Sequence, residues 1–479
     1  MKYIKIYKEP DLKSQAKRDI NTDKIKTVDF KIDKKYILPL YKKLHFYTRT
    51  YGCQANVIDS QVISRILLNL GFKQTNEIKK ADFVILNTCA IRQNAENKVY
   101  GEIGFINRLR SKNNNFRLAV SGCMPLQEIT TNKLKKDNKV DLVFGVHNID
   151  ELPKYVYEIY KNNTKIISIK HKKNNYYKLM PRQYENKHKA LVTIMDGCDN
   201  FCTYCIVPYT RGQQISRSKD DIINEIKQLI KNGCKEVTLI GQNVNAYGID
   251  FKAKKYNFKD LLVDVAKLKI PRIRFATSNP WNFDLSIIDV IKKYPNIMPA
   301  IHLPIQSGDQ EILRRMNRTM KISDYYRIIK YINKNIKNCS ITTDIIVGFP
   351  NETNKQFNNT LKFYKKVKFD NAFTFIYSKR TGTPAAKMED KISLDVKQKR
   401  LAKLNELVRK YAKLNNKKFL NKTVEVLVEG ISKTNNSRLM GYSPQQKVVN
   451  FNGHAKIGDI VKVKITSYNR FSLIGNQVD

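Results

Sequence analysis

The chain has 479 residues, of which 42% are hydrophobic; that is enough for two to four domains with sizeable cores and too apolar for a disordered chain. Lys and Arg number 88 against 43 Asp and Glu, a formal net charge of +45, which points to a polyanionic partner, nucleic acid first, although a Lys- and Asn-rich genome bias also raises such a number. No stretch is apolar enough to span a membrane, the N-terminus lacks the apolar centre of a signal peptide, and the eight cysteines lack the close pairing of a small disulfide frame; the expected setting is a reducing cytoplasm.

Residues 1–43 are polar and Lys-rich with little periodicity, and are expected to form an extension. Order begins at HFYTRTYGC. Strands are expected at His45–Thr50, Phe83–Asn87, Leu118–Ser121 and Leu142–Phe144, with helical patterns such as VISRILLNL between them. This alternation predicts an α/β fold, with a parallel β/α sheet domain over 44–160. Residues 161–183, with the run KHKKNNYYK, read as a basic linker, in which Tyr176 and Tyr177 either stack on RNA or lie on a solvated face. From 184 to 416 the alternation resumes. Strands are expected at Leu191–Met195, Val237–Ile240, Ile273–Ala276, Ile301–Ile305, Ile341–Val347 and Ala372–Tyr377, followed by a long helix over about Leu394–Phe419. Six such units predict a partial (β/α)6 barrel, whose chemistry sits at the C-terminal ends of its strands. Residues 417–479 turn all-β and predict a small binding barrel.

The cysteines sort by their position on these strands. Cys53, Cys89 and Cys123 each end a strand and turn, about one β–α unit apart. Parallel strands end on one edge of their sheet, so three thiols distant in sequence are expected to converge there. Three thiolates are too many for one disulfide and suit a soft metal or a cluster. Cys198, Cys202 and Cys205 lie in one loop, MDGCDNFCTYC, after the first barrel strand. Their Cys-x3-Cys-x2-Cys spacing differs from the paired Cys-x2-Cys of structural zinc. It supplies three ligands to a four-iron cluster and leaves one iron open to chelate S-adenosylmethionine; a zinc or structural iron site is the alternative. Cys234 and Cys339 precede strands and are expected to be buried at the other end of the barrel.

At MDGCDNFCTYCIVPYTRG the chain resembles a radical S-adenosylmethionine (radical SAM) enzyme. The blocks TYGCQANVIDS, NTCAIRQNAENKVYG, SGCMPLQ, LIGQNVNAYG, HLPIQSGDQEILRRMNR and TDIIVGFPNET are similar to those of the MiaB-type tRNA methylthiotransferases, and the C-terminal part resembles a TRAM domain. The resemblance covers residues 45–479. It implies two [4Fe-4S] clusters: a radical SAM cluster on Cys198, Cys202 and Cys205, and an auxiliary cluster on Cys53, Cys89 and Cys123. It implies radical methylthiolation of C2 of N6-(dimethylallyl)adenosine beside the tRNA anticodon, with S-adenosylmethionine as methyl donor and radical source. The implied partners are a tRNA anticodon stem-loop carrying N6-isopentenyladenosine and an external electron donor, with the enzyme a monomer away from membranes. The alternatives are methylthiolation of threonylcarbamoyladenosine in tRNA or of a ribosomal protein side chain, and an RNA-binding protein with redox-sensing clusters. Residues 421–479 carry 8 Lys and Arg against 4 Asp and Glu, a sign that suits RNA rather than a cationic ribosomal protein.

The resemblance also sets Tyr204 against the adenine of S-adenosylmethionine, with simple packing as the alternative. Gln242, Ser278, Asn279, Gln306 and Asp344 fall near strand C-termini, and Gln242 and Asp344 are taken with Tyr204 as the cofactor-binding candidates. Arg211, Arg217, Arg314, Arg315 and Arg318 are candidates to bind a carboxylate or phosphate, or to lie on solvated faces. Gly348 and Pro350 are expected to shape a turn, and His302 to be a core histidine.

Overall fold

Runs such as FVILNT and KIISI have no polar face, and in the computed structural model both are buried along their whole length, as parallel strands covered on two sides must be. The structure describes residues 3–7, 26–90, 93–110, 115–136, 139–170, 175–177, 180–251, 256–433 and 435–478. The N-terminal sheet contains Tyr3–Tyr7 (β1), His45–Tyr51 (β2), Lys73–Gln74 (β3), Phe83–Thr88 (β4), Arg117–Gly122 (β5), Leu142–Phe144 (β6) and Lys165–Ile169 (β7). Its order is β1-β7-β6-β5-β4-β2-β3, and every pairing is parallel. Separate apolar clusters cover its two faces.

Two boundaries expected from the sequence move. Residues 161–183 are not simply a linker, because β7 pairs with β6 inside the sheet; its apolar core is short and flanked by lysines, which hid it. Within the expected extension, Tyr41 is fully buried and stacks on Phe72 at 4.6 Å, while Phe30, Ile32, Tyr36 and Leu38 pack on the same cluster. Asn175–Tyr177 pairs with Lys26–Val28; the side chains of Tyr176 and Tyr177 lie outside the described residues.

The central region carries Lys189–Thr193 (β8), Glu236–Ile240 (β9), Arg272–Phe275 (β10), Ala300–His302 (β11), Ser340–Val347 (β12) and Asn371–Ile376 (β13). They form two parallel three-stranded sheets in sequence order. The seam is the Ile273–Ile297 bridge, with Met298 N donating to Ile273 O at 2.8 Å. Alternating burial along β8 and β12 separates a lumen-facing row from a helix-facing row. The helix Lys219–Lys231 shows how the outer layer is built. Ser218 caps it by accepting from Asp221 N at 3.2 Å, Asp220 and Asp221 complement its N-terminal dipole, and Ile222, Ile226 and Leu229 face inward. Each of those three side chains contributes roughly 1.5–3 kcal/mol by burial. Gly233, at φ +85°, follows its last turn.

The helix Leu394–Lys417 lies along the outside of β13 through Leu404, Val408 and Ala412, and leads into the C-terminal barrel. That barrel closes five strands, among them Asn435–Tyr442 and Ser472–Val478, which are broken by Asn, Ser and Gly and lack clear alternation. It seats on the N-terminal ends of the central strands through buried charge. Arg272 is fully buried and bonds Glu425 at 2.8 Å and the Tyr442 carbonyl at 2.8 Å; Arg274 bonds Glu236 at 2.9 Å and the Ser443 and Pro444 carbonyls; Lys447 meets Asp370 at 2.7 Å.

Candidate functional site

Cys53, Cys89 and Cys123 follow β2, β4 and β5, three neighbouring parallel strands, so the sheet edge brings them together. Cys53 caps the helix Gln54–Leu70, and Asn56 Oδ1 accepts from its backbone N–H at 3.3 Å. Asn56 and Asn87 then bond each other, which ties the first two turns together. The third turn closes on the second: Cys123 N donates to Thr88 O at 2.9 Å, with Gly122 at φ +104°. A Cβ on Gly122 would stand 2.2 Å from Thr88 O, so only glycine permits the approach. The neighbouring Cys89 thiol, helped by the Arg211 charge, outweighs burial and holds the Cys53 thiol below the usual thiol range. Burial pushes Cys123 up to about 11.

Cys198, Cys202 and Cys205 are held differently, by a loop that folds on itself. Gly197 takes φ +75°, and Cys198 N donates to Gly212 O at 3.1 Å. Cys205 N donates to Cys202 O at 2.9 Å. The segment Arg315–Arg318 clamps the loop from outside. Thr203 N donates to Met316 O at 3.0 Å, Thr203 Oγ1 to Arg315 O at 2.9 Å, and Asn317 Nδ2 to Phe201 O at 3.1 Å. Arg318 is buried, 3.7 Å from Cys202 Sγ and 3.2 Å from the Tyr204 hydroxyl, with its guanidinium 4.5 Å over Trp281. Burial raises the Cys205 thiol and the Tyr204 hydroxyl well above their ordinary ranges.

Both triads line one cavity of about 1440 Å³ that continues into the barrel lumen. Tyr204, Gln242, Ser278, Asn279, Gln306 and Asp344 line it as well. Gln242 Oε1, Ser278 Oγ and Asn279 Oδ1 are buried there without a hydrogen-bond partner. Unsatisfied buried acceptors are costly, and a polar ligand relieves them. Among the described residues, no three Cys, His, Asp or Glu side chains are spaced to hold a single metal ion. Ligands of one ion must converge on a point, about 2.3 Å away for a thiolate on zinc. A four-iron cube takes each protein thiolate on a different iron and spreads them. Soft thiol donors in threes, in one cavity with unpaired buried polar atoms, are the donor chemistry that a [4Fe-4S] cluster and S-adenosylmethionine require.

Comparison with known proteins agrees with this division of the chain. The model of the Radical SAM superfamily matches residues 192–364, that of Uncharacterized protein family UPF0004 matches 45–145, and that of the TRAM domain matches 417–478. The tRNA-2-methylthio-N(6)-dimethylallyladenosine synthase of Malacoplasma penetrans (strain HF-2) is 50% identical over 472 residues, covering 98% of this chain and 96% of its own length. The chain belongs to the tRNA-2-methylthio-N(6)-dimethylallyladenosine synthase family. The synthase of Bacillus subtilis (strain 168) is 46% identical, covering 99% of this chain and 93% of its own. The radical S-adenosylmethionine methyltransferase TsrM from Kitasatospora setae is similar in fold, with a TM-score of 0.51 at 12% identity over 71% of this chain and 75% of that one. Membership in the radical SAM superfamily implies a [4Fe-4S] cluster and S-adenosylmethionine. No described helix is long and apolar enough to cross a membrane.

Within this synthase-family site, the arginines divide. Arg211 Nη2 meets Asp59 at 2.5 Å and Nη1 meets Asp196 at 3.5 Å, so it ties the N-terminal domain to the cysteine loop. Arg217 bonds Glu225 at 2.7 Å and the Thr193 carbonyl at 2.6 Å. Both are buried, and both hold protein groups. Arg314 pairs with Glu311 on an exposed face, while Arg315 caps the Pro350 carbonyl. Gly348 shapes a turn at φ +67°. His302 is not a core histidine: it is half-buried in the cavity wall, 2.9 Å from Thr342 Oγ1 and 3.4 Å from Asp344. Its neighbours Ile301 and Leu303 are buried and carried the apolar pattern, so the alternation that puts His302 in the lumen was masked. Asp59, Asp196 and Arg182 were not singled out from the sequence; Arg182 bonds Gln61 and Glu225, again bridging the two domains.

Proposed function

We propose that this chain catalyses the methylthiolation of C2 of N6-(dimethylallyl)adenosine next to the tRNA anticodon. One observation carries the reading: two cysteine triads, on two domains, open onto a single cavity continuous with the barrel lumen. In this reading Cys198, Cys202 and Cys205 hold the radical SAM cluster, and Cys53, Cys89 and Cys123 hold a second, auxiliary [4Fe-4S] cluster. When bound, these groups supply one-electron cleavage of S-adenosylmethionine and a sulfur for an unactivated carbon, chemistry no side chain provides.

The chain's own residues bind, orient and exclude water. Gln242, Ser278 and Asn279 present their unpaired polar atoms to S-adenosylmethionine. Tyr204, fixed by Arg318, lies beside the loop triad, and Asp344 faces the lumen. Arg211 keeps the two triads in register across the domain boundary. The net charge of +45 favours a tRNA partner, whose anticodon loop offers its bases unpaired. An external donor supplies the electron.

The test is anaerobic reconstitution with iron and sulfide, followed by reductant, S-adenosylmethionine and isopentenylated tRNA. Mass spectrometry of the digested nucleosides should show the 2-methylthio derivative of N6-(dimethylallyl)adenosine. A methylthio product found only on threonylcarbamoyladenosine tRNA, or on a protein, would overturn the assignment.

A further inference from the structure

Among the described residues four phenylalanines stand out as exposed: Phe105, Phe373, Phe375 and Phe471. Three of them line the cavity that carries the cysteine triads. Apolar rings facing water inside a polar site are unfavourable until a ligand covers them. Phe373 is 53% exposed and Phe375 38%. Two residues apart on β13, they stand on the same face. The register sets Phe373 beside Asp344 and Phe375 beside Ile346. In its sheet β13 pairs only with β12, so this face borders the open side of the partial barrel.

The surroundings of the two rings define what they can hold. His302 meets the Phe373 ring edge-on at 5.9 Å and is itself held by Thr342 and Asp344. Hydrogen-bonding groups therefore lie on one side and bare aromatic surface on the other. A purine with an alkyl group on N6 has this same division: its ring nitrogens need polar partners, and its branched five-carbon tail needs only apolar burial. A threonylcarbamoyl tail would bring amide and carboxylate groups against the rings and leave them unpaired.

We propose that Phe373 and Phe375 form the wall that receives the dimethylallyl group of the target adenosine, and so select prenylated over unmodified RNA. The inference rests on the substrate reading given above. The experiment uses reconstituted holoenzyme and synthetic anticodon stem-loops with and without the N6-dimethylallyl group. Both affinities are measured by titration, and methylthio product is measured in parallel on the prenylated RNA. The native chain should prefer the prenylated RNA by at least roughly tenfold. The Phe373→Ser, Phe375→Ser double variant should bring the preference to within about twofold, while the corresponding double change to Leu retains most of it. Phe471→Ser, on the C-terminal barrel, should leave the ratio unchanged. Unaltered thermal midpoints verify that exposed rings were removed without loss of fold.

A preference that survives the serine pair, or is lost equally with leucine or with Phe471→Ser, overturns the inference. So does product formation by a native chain that binds both RNAs alike. Absence of product from prenylated RNA instead overturns the substrate reading beneath it.

Discussion

The two cysteine triads contrast in how the chain assembles them. Cys198, Cys202 and Cys205 share one loop, pinned by the hydrogen bonds it donates to the Gly212, Met316 and Arg315 carbonyls. Cys53, Cys89 and Cys123 share nothing locally; they meet because three parallel strands end on one edge. The first site is a property of a sequence motif. The second is a property of a sheet, so its integrity depends on strand order, on Gly122 and on the Asn56–Asn87 bonds. Two halves of one active site can thus have separate vulnerabilities.

The sharpest way to break the comparison is to remove one thiol from each. Cys198→Ala should abolish the 5′-deoxyadenosine released from S-adenosylmethionine under reducing conditions. Cys89→Ala should still release it but form no methylthio nucleoside. Iron should fall from about eight atoms per chain to about four when either triad is replaced whole. Chromatography of the nucleosides and a colorimetric iron assay read these outcomes. Equal loss of cleavage from both single variants would erase the division of labour.

The comparison also explains what was legible in the sequence. The loop motif and the β–α alternation need only short-range pattern, so the loop triad and the six barrel strands stood out. The distributed triad was legible because each cysteine ends a strand, a topological argument rather than a spacing one. Burial of individual side chains was less legible. His302 sits between two buried aliphatic residues and looked like core, yet faces the lumen. Lys165–Ile169 looked like linker because lysines flank a short apolar run, yet it pairs on both sides within the sheet. Arg211 looked like a ligand-binding cation; its partners, Asp59 and Asp196, lie 152 and 15 residues away and only the fold reveals them.

That arginine gives the next largest effect. Arg211→Met leaves the Asp59 and Asp196 carboxylates without their buried counter-charge. Breaking one side of such a buried pair costs about 3–5 kcal/mol. Urea unfolding should show that loss, and the same change at the exposed Arg314 should show none. A null result at Arg211 would mean the two domains, and with them the two triads, are held in register by Arg182 and packing alone.

The smallest effect comes from cysteines outside the cavity. Cys234 precedes β9, buried, with its thiol 3.2 Å from the Glu236 carbonyl, and burial raises it to about 11. Cys339 precedes β12, and burial likewise raises it. Neither thiol lines the cavity that the other six share, so neither reaches a group bound there. Cys234→Ala should therefore cost only about 1 kcal/mol, the loss of one buried sulfur, and should leave iron content and S-adenosylmethionine cleavage at native levels. Iron lost from this variant would mean that position on the strand does not sort the cysteines. The separation of six cavity thiols from two structural ones, on which both triads rest, would then fail.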